Sequence, residues 1–140
     1  MIRDSFLLKH YDWVCYIYYV VTKPNSDEIL NHLHNIGCSG ENMVNAYKNL
    51  KSGKLDTGLT YSNAFTRKSI VVISATSSAL EFLLSLTHEL GHLSCHIAQC
   101  YDIDLGGEEV RYINDELIAL SWGVSRGLIC NGLNGILCKL

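Results

Sequence analysis

The sequence predicts an α+β domain, a small and mostly antiparallel sheet combined with helices. Three observations carry this. Tyr11 to Thr22 is rich in Tyr, Val and Ile, Ile70 to Ile73 is an unbroken β-branched run, and two long stretches after Ser78 repeat apolar residues at helical spacing. At 140 residues the chain fits a single domain, 1–140, long enough to bury a core without staples.

Each element has a local reason. Tyr11 to Thr22 reads as a strand, ended by Lys23-Pro24-Asn25 because proline lacks the ladder donor and presets a turn. Ser26 or Asp27 caps a helix to about Ile36, with Ile29, Leu30, Leu33 and Ile36 on one face and Gly37 closing it. A second helix runs from about Glu41 to Leu50 and stops at Ser52-Gly53. Gly58 to Ser62 and Lys68 to Ala75 read as short strands, with Arg67 and Lys68 at a solvated turn. The run Ile70 to Ile73 predicts a strand covered on both faces. Helices follow from about Ser78 to Tyr101 and from about Gly107 to Arg126. The glycine-broken tail from Asn131 to Leu140 is left open.

Composition excludes several function classes. With 48% hydrophobic and 18% charged residues the chain is globular, and at net charge -3 it has no basic stripe for nucleic acid and no polybasic cluster for a membrane. The longest apolar run, Trp13 to Val21, is too short to span a bilayer. The six cysteines form no CxxC pair, and Met1 to Lys9 does not read as a secretory signal. The expectation is therefore a cytoplasmic protein with reduced thiols.

One motif carries chemistry. His88-Glu89-Leu90-Gly91-His92 is HExxH. Two histidines four apart project from one helical face, one turn from each other, and can share a tetrahedral zinc. The expected stripe Leu83, Leu86, Leu90, Leu93 and Ile97 lies opposite them. Glu89 is the candidate general base beside a zinc-bound water. His96 extends the row but sits two turns, about 12 Å, from His88, so it reads as a flanking residue. Cys95 reads as a small buried hydrophobe.

A catalytic zinc takes three protein ligands and keeps a fourth position open. The next helix opens Gly107-Glu108-Glu109, with an expected apolar stripe of Val110, Ile113, Leu117, Leu120 and Val124. Glu108 falls opposite that stripe and is the candidate third ligand, with Glu109 and Glu116 as competitors. Tyr112 is a candidate catalytic hydrogen-bond donor to a developing oxyanion, and Asp115 could orient a ligand imidazole. Tyr61 either faces the cleft or packs on the sheet.

The segments Thr87 to Ala98 and Gly107 to Tyr112 resemble the gluzincin arrangement, in which a helix after the HExxH helix supplies a glutamate ligand. The chain is similar to minimal zincins, including ImmA/IrrE-type metallopeptidases. Through Thr57 to Asn63, Ser69 to Ser74 and the Gly-Glu-Glu-x-x-Tyr element it is similar to small zincin-like proteins of gut Bacteroidales and their phages. The resemblance covers most of residues 11–126 and departs at Arg111, where the pattern has a small residue. It implies a zinc metallopeptidase acting on a peptide or protein substrate, which would pair with an edge strand. Two alternatives stand beside it, a catalytically silent metal-bearing binding or assembly module of phage or mobile-element origin, and a zinc hydrolase of a non-peptide bond.

Overall fold

The computed structural model describes residues 1–53 and 58–132. Thr57 and the tail beyond residue 132 lie outside the described residues, and of Asn131 only the backbone is described, as part of a helix. The elements, in order, are β1 (Ile2–Leu8), β2 (Trp13–Val21), α1 (Ser26–Asn35), α2 (Gly40–Ser52), β3 (Gly58–Asn63), β4 (Lys68–Ser74), α3 (Ala79–Cys100) and α4 (Glu108–Gly132). The fold is mixed α+β, as the sequence predicts. The sheet order is β1-β2-β4-β3, with β1–β2 and β3–β4 antiparallel and the central β2–β4 pair parallel.

β1 is not foreseen by the sequence pattern. Arg3, Asp4 and Ser5 stand together between Ile2 and Phe6 and break any apolar alternation, and it is an edge strand with only Leu8 fully buried. A short turn at Lys9–Tyr11, closed by Asp12 in the left-handed region, folds it back onto β2. The other elements fall within a few residues of their expected bounds, except that α4 continues past Arg126 to Gly132.

Helices cover both faces of the sheet. On one face Trp13, Cys15, Ile17, Tyr19, Val71 and Ile73 meet α3 and α4. On the other, Tyr18, Val21, Ile70 and Val72 meet α1 and α2. This alternation accounts for the continuous β-branched run of β4, which is buried on both sides. Two expected core positions need correction. Leu83 and Leu120 are exposed, and the buried stripes pass instead through Phe82 on α3 and through Ser121 and Ser125 on α4. Cys15, Cys38, Cys95 and Cys100 are free thiols, whereas Cys130 is disulfide-bonded, against the expectation of reduced cysteines throughout.

Candidate functional site

α3 begins with a local cap, as the Ser78 hydroxyl accepts from the Glu81 amide at 3.1 Å while the Glu81 carboxylate takes the Ser77 amide and hydroxyl. From that start the helical phase is set by Leu86, Leu90, Leu93 and Ile97, all buried against the sheet. His88 and His92 therefore emerge on the opposite, exposed side. Their Nε2 atoms converge to 3.1 Å, with the rings nearly perpendicular at 88°. Two nitrogens on one tetrahedral zinc are separated by about 3.3 Å, given bonds of about 2.05 Å. The pair thus has the spacing that one ion requires.

Glu89 is turned toward β3. Its side chain is 3% exposed, and the Thr60 hydroxyl lies 3.1 Å from both its backbone carbonyl and its Oε1. One hydroxyl hydrogen is shared between these two acceptors, and it ties the carboxylate to the edge strand. Thr60 and Ser62 lie two apart on β3, so both face α3. The sequence reading missed them, although period two in Gly58 to Ser62 carried the signal.

Ser62 belongs to a second polar array. The Trp13 indole N–H donates to Ser69 Oγ at 2.8 Å, Ser69 Oγ meets Ser62 Oγ at 2.7 Å, and Ser62 Oγ meets His96 Nδ1 at 2.7 Å. Burial lowers the His96 pKa, and the neighbouring His92 lowers it further. His96, Thr60, Tyr61 and Ser62 line an open cleft of about 450 Å³ between β3, α3 and α2. Tyr61 packs half-buried on the core beneath α1 and α2, and it also lines this cleft, whose described lining holds none of His88, Glu89 and His92. Cys95 is half-buried rather than enclosed.

α4 returns along α3, and Ser94 Oγ bonds Asn114 Oδ1 at 3.2 Å. This contact fixes the register between the two helices. Counting from it at 1.5 Å per residue, Glu108 lies about 12 Å along the axis from His92. Glu108 is exposed and pairs with Arg111 at 3.6 Å. Glu109 accepts from the Tyr11 hydroxyl at 3.2 Å. Tyr112 is 65% exposed, and Asp115, next to Asn114, is also exposed. The structure thus brings His88 and His92 together with Glu89 at their flank, and by the same register sets Glu108 further along the axis from His92 than Tyr112 or Asp115. Among the described residues no group of three or more His, Cys, Asp or Glu side chains is placed to hold a metal.

No family model, no curated protein and no solved structure matches the chain. Its chemistry has to be argued from these residues. Among the described residues no helix is long and apolar enough to cross a membrane.

Proposed function

We propose that the chain is a zinc-dependent hydrolase, a metallopeptidase of minimal zincin type acting on a peptide or protein. The carrying observation is the convergence of His88 Nε2 and His92 Nε2 to 3.1 Å on an exposed helical face. Two imidazoles and a carboxylate suit zinc. The chemistry that a zinc held by such a pair supplies is an acidified water and a polarised carbonyl. Glu89, one residue from His88 and held by Thr60, is the proton acceptor in this reading. The outer edge of β3, beside Glu89, pairs with no strand among the described residues and offers main-chain groups to an extended peptide.

The third ligand comes from the outward face of α4. Glu108 is the residue expected from the sequence, and Asp115, two turns on along the same face, is nearer to His92 by the Ser94–Asn114 register. Reconstitution with zinc followed by elemental analysis tests the metal, with about one zinc per chain expected. His88→Ala and His92→Ala each abolish it, while Glu108→Gln and Asp115→Asn made separately identify the third ligand. Folded protein with no stoichiometric metal after reconstitution sinks the proposal. Glu89→Gln keeps the metal and loses hydrolysis of a peptide library.

A second reading is a metal-bearing module without turnover. The distance of Glu108 from the histidines favours it. Stoichiometric zinc with no cleavage across the library selects it.

A further inference from the structure

α3 packs on β3 and β4 with one side and on α4 with the next, and its remaining side carries His88 and His92 into solvent. A Cβ built on Gly91, between the two histidines, would meet nothing within 4 Å. Leu84, one turn before His88 on the same side, is 58% exposed, and Cys95, one turn after His92, is half-buried. From Leu83 to Cys100 the one Asp, Glu, Lys or Arg is Glu89, and its side chain is buried and turned toward Thr60. The solvent side of a helix is ordinarily where charged residues stand. Here it is bare of them, so an identical face meets no like-charge repulsion on approach.

The two imidazoles supply half of what a closed zinc site takes. Such a site has four protein ligands in a tetrahedron, and two nitrogens 3.1 Å apart span one edge of it. The opposite edge faces away from α3. Opposite edges of a tetrahedron are perpendicular, so a second pair of the same spacing, turned by about a right angle, completes the shell. A twofold axis through the metal generates that pair from a second copy of the chain, because a twofold interface brings the same patch of both copies together. Two helices that cross so steeply touch over few turns, short of the area that holds a dimer by itself. The metal is then what holds the copies together.

We propose that His88 and His92 form a zinc-dependent dimerisation site, in which one zinc is shared by the four imidazoles of two copies. This rests on the reading of the chain as a metal-bearing module without turnover, and it names the partner of that module as a second copy. With four nitrogens bound the metal keeps no position for water, so the dimer is an assembly state and not a working hydrolase. The hydrolase reading differs in needing a third ligand from α4 and one zinc per chain.

The test is molar mass by light scattering on a sizing column, with zinc content measured on the same peak. Chelator-treated protein should run as a monomer. Zinc added to half an equivalent should double the mass and give one zinc per two chains, and chelator should reverse it. His88→Ala and His92→Ala, both at exposed positions, should each stay monomeric at the same zinc level. The wild-type mass and zinc content decide the matter even if a variant fails to fold. A monomer holding one zinc overturns the shared site and leaves the hydrolase reading standing. Protein that takes up no zinc overturns both. A dimer that persists in chelator, or that zinc still forms in folded His88→Ala, overturns the shared site as well, since another surface then joins the copies.

Discussion

Tyr19 shows how a single polar atom can be out of place in an otherwise satisfied core. It is completely buried under α4, and its hydroxyl, though near Ser121, makes no bond of normal geometry. Burial, and then the charge of Asp4, push its pKa upward. A buried donor without a partner carries a desolvation cost that its removal recovers. Tyr19→Phe is expected to be neutral or to stabilise by up to about 1 kcal/mol in denaturant unfolding. A loss of more than that would mean the hydroxyl is bonded in solution. Thr60 has the opposite standing, because its one hydrogen holds Glu89. Thr60→Val is expected to leave zinc stoichiometry unchanged and to cut peptide hydrolysis by about tenfold, as lost outer-sphere bonds commonly do. Loss of the zinc itself would show that Thr60 supports the fold of α3 and not the orientation of one carboxylate.

At the scale of the element, β2 carries a local cost. Val20 has φ of 57°, in a region that β-branched residues avoid, and it sits where the β2–β4 register shifts between Tyr18 and Val21. Val20 is partly exposed, so trimming it forfeits little burial. Val20→Gly is expected to raise stability by about 1 kcal/mol, read as a higher Tm, and a lower Tm would refute the strain. Gly58 is the converse. At φ of 152° a Cβ there would fall 1.7 Å from the Val72 carbonyl oxygen, inside the β3–β4 pairing. Gly58→Ala is expected to destabilise by more than about 1 kcal/mol. Most of these elements were legible because their signals are local. Proline and glycine punctuate α1 and α2, and the β-branched run marks β4. β1 was not, since an edge strand with Arg3 and Asp4 has little apolar pattern to read. The HExxH face was legible from spacing alone. The polar faces of α3 and α4 look alike on a helical wheel, but the wheel holds no information on how far one helix slides along the other. That register, fixed by Ser94 and Asn114, separates Glu108 from His92.

Across the whole molecule, two histidines link stability to pH. His32, bonded to the Tyr18 hydroxyl at 2.6 Å, and His96 both have pKa values lowered mainly by burial. The unfolded chain, with histidines near 6.5, then takes up protons that the folded chain resists. Their contribution is complete above about pH 6.5 and is lost as pH falls below it. Thermal unfolding from pH 8 to 5 is expected to show Tm dropping through the acidic half, with a shallower drop in His32→Phe. A flat or rising Tm would contradict both shifts. The parallel β2–β4 pair has another kind of consequence. Trp13 and Ser69 are 56 residues apart, yet they meet at the middle of the sheet. During synthesis, β2 with its run of Tyr, Val and Ile leaves the ribosome several seconds before β4 exists to cover it. Until then its only sheet neighbour is β1, which protects one edge and neither face. The nascent chain therefore passes through a window of exposed strand, and translation rate and chaperone capture over residues 22–68 govern how much of it reaches the native fold.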